Sequence, residues 1–446
     1  MHSVPHILLV NPWIHDFAAY DVWAKPLGLL TLGGILRAHG CRISYIDCLD
    51  RFHPKSGAKD ALARNGRGPY LKTPLPKPRG LEDVQRVFSR YGIKPEWLRE
   101  DLAALEPPAL IMVTSLMTYW HGGVTETIAC LRQAFPHAPI LLGGIYASLC
   151  PEHARAASGA DFVFTGAGEG AVLDLVARFT GVTLAPQFDA DNLDSYPYPA
   201  LDLQRRIGYV PLLTSRGCPF RCSYCASHVL EKRCLRRSPA NVTTEIRYWH
   251  TKFGVCDFAL YDDAFLVDFA RHAEPLLEQV IAMDMPLRFH TPNALHIREI
   301  NEHSAALMYA AGFKTIRLGL ETVDFDRRDN LDHKVAAAEY TTAVAALLKA
   351  GFTKEQVGAY LLAGLPEQTL ADVLRSVELV QQSGITPIPA YYTPIPQTAM
   401  WAAACETSRY ELNADPVFTN NAVLPCRHAD FTWDEVAKIK AAVSHR

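Results

Sequence analysis

The 446-residue sequence has no run of 18 consecutive apolar residues, so no segment reads as a membrane-spanning helix. Net charge is also nearly absent. Lys and Arg number 44 against 47 Asp and Glu, a formal charge of -3, which leaves no global basic field for nucleic acid and no acidic excess for a solvating chain. Any polyanion would have to be bound locally. Cysteine is sparse at 11 residues, too few for a disulfide scaffold. The apolar stretch Ile7 to Val10 lacks the basic lead and the small-residue cleavage site of an export signal. A reducing, cytoplasmic setting is therefore expected, and clustered cysteines read first as metal ligands. What the chain does have is apolar content, 49% against 20% charged, which excludes disorder as the main state. At about 150 residues per domain, its length allows two or three cores.

Short apolar runs followed by stretches of helical length recur through the first half, at Ile7 to Val10, Arg42 to Ile46, Leu110 to Thr114, Ile140 to Leu142 and Phe162 to Phe164. This alternation predicts an α/β domain over 1–195, a Rossmann-like, doubly wound parallel sheet. Gly143-Gly144 and the run Gly166 to Gly170, with Gly168 at its centre, fall at strand C-termini. Glycine there serves either a tight turn or a close approach of backbone to ligand. Residues 51–80 interrupt the pattern with eight Lys or Arg, one acidic residue and many Pro and Gly, and read as a long basic loop or lid. The alternating prolines of Tyr196 to Pro199 suggest a linker over 196–208. A second alternation then supplies six strand-like segments between Val210 and Tyr392. It predicts a partial (β/α)6 TIM-type barrel over 209–395, with its site at the strand C-termini, followed by a C-terminal cap over 396–446.

Chemistry concentrates in Cys218-Pro219-Phe220-Arg221-Cys222-Ser223-Tyr224-Cys225, a C-x3-C-x2-C array directly after the first strand of that second series. Three thiolates on one loop suit a cluster of soft metal ions and leave one coordination position open where a closed site needs four ligands. The competing reading is structural zinc completed by Cys234, Cys256 or His228. Against it, the chain has no second C-x2-C knuckle.

The array resembles that of the radical S-adenosylmethionine (radical SAM) enzymes, and the whole chain resembles their branch with an N-terminal cobalamin-binding-like domain. The resemblance implies that Cys218, Cys222 and Cys225 hold a 4Fe-4S cluster. It also implies that S-adenosylmethionine (SAM) chelates the fourth iron, and that reduction yields methionine and a 5'-deoxyadenosyl radical. Later segments agree in order. Tyr261-Asp262-Asp263-Ala264-Phe265 is similar to the family's D-D-x-F turn, and Thr291-Pro292-Asn293-Ala294-Leu295 to its T-P-N-G-L, with alanine in the glycine place. Arg317-Leu318-Gly319-Leu320-Glu321-Thr322 is similar to G-x-E-S, and Tyr392-Thr393-Pro394-Ile395-Pro396-Gln397-Thr398 to Y-S-P-I-P-G-T, with glutamine for glycine. On this likeness Tyr224, Asp262, Asp263, Asn293, Arg317 and Glu321 are expected at SAM, and Tyr391 and Tyr392 at substrate. Asp262, Asp263 and Glu321 also read as surface carboxylates, Arg317 as a salt-bridge partner, and Tyr391 and Tyr392 as core aromatics. Cys405 and Cys426 read as inert thiols.

The loop after the first strand, Asn11 to Tyr20, cannot be fitted to D-x-H-x-x-G, the motif whose histidine ligates cobalt in cobalamin domains of the methionine-synthase type. His15 is thus not expected beneath a cobalt. Ser115-Leu116-Met117 resembles the family's S-x-L, and Ser115, Gly143, Gly144 and Gly168 are the expected cobalamin contacts. Two outcomes stay open: cobalamin-dependent C-methylation, or a cobalamin-independent radical rearrangement, oxidation or cyclisation. A non-catalytic metal-stabilised binding protein is the alternative from another class. The enzyme reading implies a small-molecule substrate and a low-potential electron donor such as flavodoxin or ferredoxin.

Overall fold

The computed structural model describes residues 4–57, 60–325, 331–332, 335–427 and 431–444. The chain forms two compact units, 1–208 with 413–419, and 209–412 with 420–446.

In the first unit, β1 (His6–Asn11), β2 (Arg42–Asp47), β3 (Leu110–Val113), β4 (Ile140–Leu142) and β5 (Phe162–Val163) form one parallel sheet in the order β5-β4-β3-β1-β2. Every residue of β1 is buried, because it is central and covered on both faces. Ile7 and Leu9 pack with Leu29, Ile35 and Leu36 of α1 (Leu27–Ala38). Leu8 and Val10 point the other way, toward Leu98 of α2 (Pro95–Ala103) and Val124 and Ile128 of α3 (His121–Ala134). That is the period-two consequence of a strand between two helical layers. The connection that reverses direction lies between β1 and β3, where doubly wound sheets open a crevice at their C-terminal edge.

Two expectations change here. Residues 72–74, within the basic segment read as a loop or lid, pair with Ser89–Tyr91, which pairs in turn with Ile14–Asp16, so part of that segment forms a small antiparallel sheet. Residues 196–208, read as a linker, lie on α1: Ala200 N–H donates to Leu30 O at 2.8 Å. Gly34 permits this, since a Cβ there would sit 2.3 Å from Tyr198 O.

In the second unit, β6 (Val210–Leu212), β7 (Asp257–Leu260), β8 (Arg288–His290), β9 (Phe313–Glu321), β10 (Val357–Ala363) and β11 (Thr386–Tyr391) are parallel and lie in sequential order. Helices α7 (Pro239–Phe253), α8 (Ala273–Ala282), α9 (Glu302–Ala310), α10 (Ala337–Lys349) and α11 (Leu370–Gln382) fill the connections. Their boundaries are written locally. Ser238 caps α7 by accepting from Asn241 N–H, with Pro239 in the first turn, and Gly254 ends it in the left-handed region. Thr369 and Asp372 cap α11 reciprocally. The expected cap, 396–446, is divided: 413–419 belong to the first unit, where Thr419 Oγ1 lies 3.1 Å from Thr118 Oγ1. No helix among the described residues is long and apolar enough to cross a membrane.

Candidate active site

The cysteine loop leaves the C-terminal end of β6 and is closed at its base. Ser215–Arg216 pairs antiparallel with Leu235–Arg236, so the segment between them returns to where it began. Gly217 makes the closure possible: its φ is +80° and a Cβ would stand 2.2 Å from Arg233 O. Cys222 is buried, Cys218 and Cys225 are partly exposed, and none of the three is in a disulfide. Cys225 N–H donates to Cys222 O at 3.1 Å, folding the x2 step into a turn. Ser227 N–H donates to Cys225 Sγ at 3.4 Å, and His296 Nε2, packed on Phe220, lies 3.8 Å from Cys218 Sγ. An all-sulfur donor set with an N–H group aimed at one sulfur fits an iron–sulfur cluster. Cys256 cannot complete a zinc site with these residues, because it precedes β7 at the opposite edge of the parallel sheet.

Asp262 follows β7, but its carboxylate is turned to β6. Oδ1 accepts from Thr214 Oγ1 at 2.5 Å and Ser215 Oγ at 2.6 Å, and Oδ2 from Thr214 N–H at 3.1 Å. Burial pushes this carboxyl up, while these hydrogen bonds oppose the shift. Thr214 Oγ1 also lies 2.8 Å from His272 Nε2. Since the single Thr214 proton goes to Asp262, His272 Nε2–H is the donor there. Asp262 therefore braces the strand that launches the cysteine loop, a role different from the expected SAM contact. Thr214, Ser215 and His272 were not singled out from the sequence; the only local signal is the Thr-Ser pair just before the cysteines.

Asp263 is held near Ser227, the neighbour of Cys225, and burial and then Asp262 push its carboxyl up. Asn293 is exposed; its amide donates to Tyr261 O at 3.0 Å, joining the loops after β7 and β8. Glu321 ends β9 buried and with φ +62°, a left-handed conformation that a non-glycine residue adopts only when its surroundings impose it. Burial raises the Tyr224 phenol, and the charges of Glu321, Cys222, Asp332 and Cys225 add to the shift; its Oη donates to Asp332 Oδ2 at 3.5 Å. Arg317 departs from the expectation. Its Nη1 donates to Ile316 O at 2.8 Å and Gln356 O at 3.3 Å, and the guanidinium also holds the Tyr360 phenol, whose Oη donates to Pro292 O at 2.9 Å after β8. Tyr391 packs against the apolar cluster of Leu424, Phe431 and Val436. Tyr392 is 3% exposed and its Oη has no hydrogen-bond partner among the described residues. Tyr392 behaves as a core aromatic, and Tyr391 as a partly exposed neighbour of that cluster.

A cavity of about 770 Å³ opens beside the cysteine loop, a volume suited to a small molecule. Ser223, Thr322, Leu365, Glu367, Gln368 and Met400 contribute to its wall, drawn from the loops after β6, β9, β10 and β11. Neither Tyr391 nor Tyr392 lines it. Ser223 is fixed by its own backbone, with N–H to Leu331 O at 2.8 Å and O from Met400 N–H at 2.9 Å.

At the C-terminal edge of the first unit, Ser115 Oγ donates to Gly143 O at 2.7 Å, and Ile145 N–H donates to Ser115 O at 2.8 Å. A Cβ on Gly144, whose φ is +95°, would stand 2.3 Å from Ser115 O. Ser148, in α4 (Ile145–Leu149), accepts from Gly166 N–H at 2.9 Å. The loops after β3, β4 and β5 thus form one connected rim. Gly143 and Gly166 would meet nothing within 4 Å on gaining a Cβ, so the rim faces open space as a ligand cradle would. Gly168 lies on the same loop as Gly166 and faces Leu32. His15 is engaged elsewhere, with Nε2 2.7 Å from Glu126 Oε2. Burial tends to raise the Glu126 carboxyl, but His15 and Arg90 together hold it at about 2.

Residues 212–380 match the radical SAM superfamily and residues 90–176 match the B12-binding domain. The chain joins a radical SAM domain to a B12-binding domain. An uncharacterized methyltransferase of Pyrococcus horikoshii is 25% identical over 272 residues, 57% of this chain and 56% of that protein. The anaerobic magnesium-protoporphyrin IX monomethyl ester cyclase of Cereibacter sphaeroides is 24% identical over 344 residues, 67% of this chain and 54% of that protein. The chain thus spans little more than half the length of either relative. The solved structure of the radical SAM methyltransferase TsrM from Kitasatospora setae, with cobalamin and a [4Fe-4S] cluster, superposes with a TM-score of 0.66 at 19% identity. That match covers 90% of this chain and 78% of TsrM, a likeness of fold.

Proposed function

We propose that this radical SAM chain is a cobalamin-dependent C-methyltransferase acting on a small molecule. The observation that carries the proposal is the pairing of two rims in one chain. One is a loop of three cysteines, none in a disulfide, at the C-terminal end of β6; the other is the Ser115, Gly143 and Gly166 rim of a B12-binding domain. When bound, a 4Fe-4S cluster supplies a low-potential electron for SAM cleavage, and cobalamin supplies a transferable methyl group.

The chain's part is to hold and shield. Cys218, Cys222 and Cys225 would ligate the cluster. Glu321 and Asp263, carboxylates beside that loop, would accept from the SAM amino group or ribose, and Tyr224 would close the pocket beside Glu321. Asp262 with Thr214 and Ser215 keeps the loop's root fixed. The cavity lined by Ser223, Thr322 and Met400 would receive the substrate and exclude stray hydrogen donors.

The test is anaerobic turnover of reconstituted protein with SAM, a low-potential reductant and cobalamin, read by mass spectrometry. 5'-Deoxyadenosine together with S-adenosylhomocysteine, both absent from Cys222→Ala, supports methyl transfer. 5'-Deoxyadenosine alone, with or without cobalamin, replaces this reading with the cobalamin-independent one, and neither product replaces it with a binding protein.

A further inference from the structure

Away from the cysteine loop, the first unit gathers His121, His153 and Asp415, each offering one ligand atom, with all three atoms within 4.8 Å of one another. We propose that these residues form a binding site for a divalent transition metal of the zinc class.

The three come from independent segments: the first residue of α3, the helix Pro151–Ala157, and the segment 413–419. His121 Nε2 already stands 2.8 Å from Asp415 Oδ1. Two ligands about 2.1 Å from a tetrahedral ion lie about 3.4 Å apart, so the observed spacing needs shifts of an ångström or so to close around a metal. Asp415 Oδ1 is oriented by Val417 N–H at 2.7 Å, leaving Oδ2 available on the same carboxylate. The rings of His121 and His153 meet edge to face at 4.7 Å.

Behind His153, Tyr146 Oη lies 2.8 Å from Nδ1. With Nδ1–H donating to the phenol oxygen, Nε2 is the nitrogen left for metal, which is the outer-shell pattern that fixes the tautomer of a ligating histidine. Two imidazoles and one carboxylate suit zinc or ferrous iron better than calcium or magnesium, and three protein ligands leave a position for water. His121, His153 and Asp415 are partly buried and Tyr146 is fully buried behind them, so the ion would be reachable from solvent yet shielded. The charge of Asp415 offsets the positive end of α3 that His121 begins.

The experiment uses the full-length protein with its iron–sulfur cluster reconstituted, zinc chloride added and excess removed, followed by zinc analysis and absorption at the zinc edge. The expected result is about one zinc per chain with nitrogen or oxygen neighbours at about 2.0–2.1 Å and none at the sulfur distance of about 2.3 Å. His153→Gln should lose the zinc while keeping its iron and its unfolding midpoint, and Tyr146→Phe should weaken zinc binding about 10- to 100-fold. A sulfur shell, zinc retained by His153→Gln, or no zinc held by the wild type would overturn the proposal.

Discussion

Thr214 donates its hydroxyl proton to Asp262 Oδ1 at 2.5 Å, tying the end of β6 to the loop after β7 four residues before Cys218. Removing the carboxylate leaves the Thr214 and Ser215 hydroxyls buried without an acceptor, at a cost on the order of 1–3 kcal/mol for each. Asp262→Ala should therefore lower stability and reduce iron loading on reconstitution. Asp262→Asn should fall between, because its amide turns a donor toward Thr214 N–H. Iron content and unfolding midpoint check this; full loading in Asp262→Ala would show that the brace does not position the cluster loop.

Glu321 separates in the opposite sense. Its left-handed backbone costs about 1–3 kcal/mol that the surrounding loop must offset, and its charge acts on the phenol of Tyr224, a residue of the cysteine loop. Glu321→Gln should keep the iron and lower SAM affinity about 10- to 100-fold, the range of a lost charge-assisted hydrogen bond. Glu321→Gly should relieve the strain and still lose SAM. Electron paramagnetic resonance of the reduced cluster, titrated with SAM, reads both.

His272 gives a pH dependence. Burial, with Arg236 adding, pushes its imidazole down to about 4 from an ordinary 6.5. Below 6.5 the unfolded chain takes up a proton that the folded chain does not. Stability is thus fully present above 6.5 and is lost as the pH falls toward 4. Between pH 7.5 and 5.5 the loss is on the order of 1 kcal/mol. His272→Gln should start less stable but show a shallower decline over that window, measured as the anaerobic unfolding midpoint. Parallel declines in the two proteins would count against a buried neutral histidine.

The strands and the cysteine loop were legible because both are local signals: apolar runs of strand length, and three thiols within one loop. What depends on packing across the chain was not. Asp262 and Asp263 are adjacent and chemically identical, yet one braces β6 and the other sits by Ser227. Ala294 stands in a glycine place without needing a positive φ, whereas Gln397, also in a glycine place, adopts φ +69°. His121 and Asp415 meet across 294 positions, a distance over which no periodicity carries information. Arg317 looked like a cofactor ligand by motif, but which carbonyls its guanidinium reaches depends on the register with β10.

Tyr392 tests the corrected reading of the substrate pocket. Its buried Oη lacks a partner, and burial, with Cys426 and Cys405 nearby, pushes the phenol well up. Tyr392→Phe removes an unsatisfied polar atom at almost constant volume. It should raise stability by about 1 kcal/mol or more and leave turnover intact. Loss of product formation at an unchanged unfolding midpoint would instead return Tyr392 to the site.

Cobalamin binding is separable from the fold at Gly143. A Cβ there meets no atom within 4 Å, so Gly143→Val should fold normally and load iron normally, while its side chain projects into the space of the rim and lowers cobalamin retention. Gly144→Ala is the contrasting change, since its Cβ would collide with Ser115 and shift the loop itself. Because His15 is held by Glu126, bound cobalamin should show a spectrum without histidine coordination, and His15→Ala should leave that spectrum unchanged. A histidine-ligated spectrum abolished by His15→Ala would mean that the Glu126 contact breaks on binding. Normal cobalamin uptake by Gly143→Val would place the cofactor away from the rim of Ser115, Gly143 and Gly166.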